Sequence, residues 1–350
     1  MNPLMKQALC MLTLLSASLA VVANAWADPL PGRDIPKFIQ RPMDGTLLPG
    51  PQGTVQPYWG HDEFSTAYGV IGAAPPVIYQ GQFMADDFAD EFKTPVVHVK
   101  WWGSYLGDIL GQFPIDKFLI SFEEDVPVSA TNPFSHPGDP LLNQIVRRVP
   151  LGGLTPGSGT YTEAPISLGG PPLSETLYEY NAELHLDKPF RQLPDTVYWL
   201  KIVALVDVPA GIPIPGPNDP STIVPRWGWH NRDFTIKNPL ASPNVVPGET
   251  VTVVGPAPGG FPVWHFQDDA VTGRVIVDTA GPMGQVMPVV VQDGYLPTNY
   301  IVEADGPPPI GQFSKDLAFV LYTVPEPATC ALMIAGLAGA LVVRRRKPKA

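Results

Sequence analysis

Paired carboxylates are the first residues in this chain whose types and spacing could do chemistry. Asp86 and Asp87, followed by Asp90 and Glu91, form one acidic group, and Asp268 with Asp269 forms another. Calcium needs several oxygen ligands at once, and aspartate pairs at loop ends can supply them, so Asp86, Asp87, Asp268 and Asp269 are candidate ligands of a structural Ca²⁺. The competing reading is that these acids cap turns and solvate the surface. No Asp-x-Asp-x-Asp-Gly loop is present. Two carboxylates also serve glycoside hydrolysis, but an acid-rich chain contains such pairs by chance.

Other catalytic constellations are thin. There is no His-Glu-x-x-His zinc helix, no phosphate loop and no Gly-x-Ser-x-Gly elbow; Gly157-Ser158-Gly159 falls in a Gly- and Thr-rich loop. His61, His98, His136, His185, His230 and His265 are scattered without ligand spacing. The two cysteines, Cys10 and Cys330, lie near the ends, so the body between them has no thiolate ligand, no cysteine nucleophile and no disulfide. The body is therefore expected to be non-catalytic, with no cofactor beyond the candidate Ca²⁺.

Aromatics suggest binding instead. Trp101 and Trp102 are consecutive, so on a strand they face opposite sides, and one of them is expected outside the core. Trp227-Gly228-Trp229-His230 places two indoles on one side of an extended segment, with Gly228 allowing close approach. Sugar rings stack their apolar faces on indoles, which makes Trp102, Trp227 and Trp229 candidate glycan contacts. The alternative is that they fill the space between two sheets.

The elements that must position these residues read as strands. Residues 96–102 are β-branched and aromatic; 117–122 put Phe118, Ile120 and Phe122 on one face. Residues 176–186 alternate, with Tyr178, Tyr180, Ala182, Leu184 and Leu186 facing a core and Glu179, Asn181, Glu183 and His185 facing solvent. Residues 197–206 are apolar except for Lys201, as suits a central strand. Shorter strands follow at 250–254, 274–277, 287–291 and 317–323. The 44 prolines and 33 glycines have no collagen-like period and act as punctuation. Many short strands without alternating helices predict an all-β sandwich or jelly roll at 58–324, preceded by a Pro- and Gly-rich arm at 28–57.

Both ends read as signals. Lys6, the apolar run 8–22 and Ala25-Trp26-Ala27 have the order of a signal peptide cleaved by signal peptidase before Asp28, giving a leader at 1–27. At the other end stand Val324-Pro325-Glu326-Pro327, an uncharged apolar segment at 328–343 and a basic tail at 344–350 containing Arg344, Arg345 and Arg346. The segment spans most of a bilayer core as a helix, and the basic cluster would hold its end on the cytoplasmic side of the inner membrane. Six of the 22 basic residues but only Glu326 of the 33 acidic ones belong to these signals. The body is therefore more acidic than the whole chain, whose formal net charge is −11, and would repel nucleic acid phosphates.

Motif, helix and basic cluster, in that order across 325–350, resemble the PEP-CTERM sorting signal of Gram-negative bacteria that make exopolysaccharide. The resemblance implies recognition and cutting near Pro-Glu-Pro by a membrane exosortase, transient anchoring, and delivery to the envelope, outer surface or medium. A second resemblance runs through the body. Ala85-Asp86-Asp87-Phe88, Val99-Lys100-Trp101-Trp102-Gly103-Ser104-Tyr105, Tyr178-Glu179-Tyr180-Asn181, Trp227-Gly228-Trp229-His230 and Asp316-Leu317-Ala318-Phe319-Val320 resemble an uncharacterised family of secreted bacterial β-sandwich domains. That family brings no catalytic residues. The expected function is a non-catalytic envelope or matrix protein with glycan contact in an exopolysaccharide context. The alternatives are a polysaccharide hydrolase or lyase and a calcium-dependent adhesion module.

Overall fold

The computed structural model describes residues 35–324, with interruptions in several connecting stretches, the longest at 298–315. The leader, Cys10, Cys330, Pro325, Glu326, Pro327 and the arginine cluster lie outside the described residues. The compact body runs Pro36–Thr323.

Among the described residues there is no α-helix, only a 3₁₀ turn at Leu106–Asp108. The strands begin with β1 (Ile35–Gln40), β2 (Met43–Asp44), β3 (Leu48–Gly50), β4 (Gly53–Val55), β5 (Tyr58–Trp59), β6 (Asp62–Phe64) and β7 (Thr66–Ile71). The long ones follow: β8 (Ile78–Phe88), β9 (His98–Tyr105), β10 (Lys117–Val126), β11 (His136–Arg148), β12 (Thr160–Pro165), β13 (Leu177–Glu183) and β14 (Tyr198–Pro209). The last are β15 (Trp227–His230), β16 (Gly248–Thr252), β17 (Pro262–Phe266), β18 (Val271–Asp278), β19 (Val289–Pro297) and β20 (Phe319–Thr323).

Fourteen of these strands share one sheet, ordered β1-β20-β9-β13-β12-β11-β10-β14-β7-β8-β18-β19, with β15 bridging β6 and β9. The chain is thus all-β, and its packing is that of a sandwich. The sheet doubles over where β11 meets β12 through a short parallel pairing, Arg147 with Thr160 and Arg148 with Tyr161. The two halves then face each other: Trp101 on β9 meets Phe118 on β10 at 5.3 Å, and Phe319 on β20 meets Phe88 on β8 at 6.3 Å. Phe118, Ile120 and Phe122 enter this core together, as their spacing predicts.

A second, smaller core lies on the other side of β10 and β14. Leu119, Trp199, Val203 and Leu205 point there, and the β18–β19 hairpin covers them with Val271, Val275 and Val277. Burial on both faces explains why β14 reads as a nearly unbroken apolar run. It pairs with β10, β7 and β8, the central position its composition predicts.

Two expectations need correction. Residues 28–57 are not simply an arm, because β1 belongs to the main sheet. Its Phe38 stacks on Phe319 at 5.0 Å, and its Lys37 is completely buried in an ion pair with Asp90 at 3.4 Å. Nor is the expected outward face of β13 fully solvated: Asn181 and Glu183 are buried, while Glu179 and the following His185 keep partial exposure.

Candidate functional site

Strand β15 carries the Trp-Gly-Trp-His segment, wedged between β6 and β9. The indoles turn inward. Trp227 is fully buried, meets Phe118 edge-on at 5.0 Å, and donates from Nε1 to the Tyr180 hydroxyl at 3.0 Å. Trp229 is fully buried beside Phe319 and donates from Nε1 to the Ala318 carbonyl at 3.0 Å. Gly103 makes this packing possible, because a Cβ there would stand 2.4 Å from the Trp227 ring and 2.3 Å from the Gly228 carbonyl oxygen. Trp101 and Trp102 do face opposite sides, yet both are buried. Trp102 packs with Leu177, Val320 and Tyr322, and Ile39 and Tyr58 from the N-terminal strands lie against that cluster. The candidate glycan contacts Trp102, Trp227 and Trp229 are therefore core residues: each indole keeps its apolar body from water, and Trp227 and Trp229 also satisfy their N–H inside the protein.

The aspartates do not converge either. Consecutive strand residues point to opposite faces, so Asp86 and Asp87 cannot share one ligand sphere through their side chains. Asp86 is buried against Arg232 and Asp316. Its Oδ2 accepts from the Leu317 amide at 2.7 Å and its Oδ1 from the Asp87 amide at 3.1 Å. Burial, then the neighbouring Asp316, push the Asp86 carboxyl well above the ordinary carboxylate range. Arg232 Nε lies 3.1 Å from Asp316 Oδ2. Asp87 is also buried, and Asp269, half-buried, precedes β18, whose Val271 pairs with Ala85. Asp268 lies outside the described residues. Among the described residues, no three His, Cys, Asp or Glu side chains are grouped to hold a metal ion.

Polar clusters that sequence reading missed lie between strands far apart in the chain. Tyr105 donates to Glu163 at 3.0 Å, and Arg148 pairs with the same carboxylate. Burial raises the Glu163 carboxyl, opposed chiefly by Arg148. His230 Nδ1 lies 3.1 Å from Asp62, and Ser104 donates to Glu175 at 2.8 Å. Lys117 bonds both Tyr79 and Asp207, at 2.6 and 2.8 Å. No local motif announces these sets.

The outer face of the β8–β18–β19 region holds an open groove of about 270 Å³. Gln80, Arg274, Ile276, Val291 and Asp293 contribute to its walls, and Ile276 and Val291 are 42% and 57% exposed. Ile276 and Val291 pair directly across β18 and β19, as do Arg274 and Asp293. Arg274 and Asp293 form a two-point surface bridge at 2.8 and 3.1 Å. Exposed apolar side chains flanked by planar hydrogen-bonding groups offer a surface on which a ligand can rest, and the carboxylate that lines the groove, Asp293, is held by Arg274.

A family model described as a domain of unknown function, DUF7901, matches residues 37–251, and one described as the PEP-CTERM protein-sorting motif matches residues 323–347. No curated protein matches the chain.

Proposed function

Because the chain belongs to the DUF7901 family and carries a PEP-CTERM sorting motif directly after its last core strand, we propose that it is a non-catalytic envelope or matrix protein. In this reading an exosortase-type enzyme processes the exported chain, and the β body then contacts polysaccharide through the β8–β18–β19 groove. The observation that carries the reading is the position of the motif. Strand β20 ends at Thr323 and the motif match begins at the same residue. Cutting near Pro325-Glu326-Pro327 would spare every paired residue of β20, so sorting would not disturb the core.

Changing both Pro325 and Pro327 to alanine is expected to leave a full-length, membrane-held form in the native host. Fractionation and intact mass check this, and an unchanged mass with unchanged distribution would defeat it. The groove is tested separately with the double variant Arg274→Ala, Asp293→Ala. An exposed bridge contributes no more than about 1 kcal/mol, so the variant should melt close to the parent. Its retention by host exopolysaccharide in affinity electrophoresis should fall several-fold. Release of reducing ends by the parent would favour the hydrolase reading instead.

A further inference from the structure

The smaller core holds a polar assembly that nothing above employs. Register places Asn143 on β11 and Lys201 on β14 opposite Ser121 on β10, one to each side. Glu123 stands two residues along β10 on the same face. The side chains of Lys201 and Glu123 have no exposed surface, and Lys201 Nζ donates to Glu123 Oε1 at 2.6 Å. The Ser121 hydroxyl lies 2.6 Å from the same Oε1 and 2.6 Å from Asn143 Oδ1. Gln292 on β19 donates from Nε2 to the other oxygen, Glu123 Oε2, at 2.7 Å, and to the Gly138 carbonyl at 3.0 Å. Lys201 Nζ also sits 4.2 Å from the centre of the Phe83 ring.

An amine and a carboxyl are thus held in contact with neither side chain exposed. Burial disfavours the charged ammonium and lowers the Lys201 proton affinity, with Glu123 opposing the change. Passing one proton from Nζ to Oε1 turns the ion pair into a neutral amine beside a neutral acid, the pair of species from which an amide forms. The contact positions Nζ beside Cδ as a bound reactant pair would be positioned, which removes much of the entropic barrier to a bimolecular step.

We propose that Lys201 and Glu123 condense into an internal amide cross-link joining β14 to β10. The Nζ lone pair attacks Cδ, the new C–N bond forms, and the carbonyl electron pair moves onto Oε2, where the Gln292 N–H already donates. On collapse the Cδ–Oε1 bond breaks. Oε1 departs as water, carrying the acid proton and one proton passed directly from Nζ, which already donates to that oxygen. Atoms balance with no oxidant, metal or cofactor. Burial favours the product, because condensation removes the cost of keeping an ammonium and a carboxylate out of water. In a body without cysteines, such a bond would supply the covalent brace that disulfides give other exported domains.

Intact-mass measurement of the purified full-length chain tests this. The expected mass is below the sequence mass by one water, and fragment spectra should show the Lys201 and Glu123 peptides as one branched species. The Lys201→Met variant should return to its own sequence mass. Should that variant fail to fold, the parent mass and branched peptide remain decisive. A parent at its full sequence mass would overturn the proposal and leave a plain buried ion pair. Loss of one ammonia mapped to Asn143 would overturn it as well, by making Asn143 the acceptor.

Discussion

Replacing Trp227 with alanine is expected to destabilise the body by about 3–5 kcal/mol, the usual cost of emptying a buried aromatic site. The indole is fully buried between Phe118, Tyr180 and the Gly103 backbone, and its removal also takes away the donor to the Tyr180 hydroxyl. Trp229→Ala should cost a similar amount, because Trp229 packs on Phe319 and satisfies the Ala318 carbonyl. Urea titration followed by circular dichroism measures both. A folded Trp227→Ala protein with unchanged midpoint and weakened polysaccharide retention would contradict the buried placement and restore the indoles as surface contacts.

Arg232→Met should be comparably severe. It removes the cation from a site holding Asp86 and Asp316, and breaking a buried charge pair from one side costs about 3–5 kcal/mol. The pH dependence gives the prediction its sign. Asp86 is raised in the folded state, first by burial and then by Asp316, so the fold binds its proton more tightly than the unfolded chain does. Its stabilising contribution is full below the unfolded carboxyl value, about pH 4, and is lost as pH rises through the folded value. Without Arg232 the deficit should therefore be largest at neutral to alkaline pH and shrink on acidification. Urea midpoints of parent and variant at about pH 5 and about pH 8 check this, and a deficit that grows on acidification would refute it.

The strand positions that were legible in the sequence share one property: their pattern is local. Phe118, Ile120 and Phe122 alternate within one segment, and the core side of β10 follows directly. The 197–206 run is apolar on both faces, and β14 is central. Within the segment 28–57, β1 is short and contains Pro36, so nothing in its own pattern reveals a partner. Its place is decided by Lys37 meeting Asp90 and Phe38 meeting Phe319, pairings across long stretches of chain.

The candidate site divides in the same way. Trp101 and Trp102 must face opposite sides of a strand, which the sequence alone requires, but whether the outward face meets water depends on what covers it. Here Ile39 and Tyr58 lie against the cluster that buries Trp102, and the indole joins a third cluster of buried side chains. The sorting motif is contiguous and needs no fold to be read, so the sequence by itself determined the all-β class, the absence of cysteine from the body and the signal that follows it. Only the tertiary structure decided that the tryptophans are core, that Asp86 faces Arg232 and Asp316, and that Lys201 touches Glu123. The reason is physical: alternation along a strand is set by backbone geometry, whereas burial and charge pairing depend on strands brought together from distant parts of the chain.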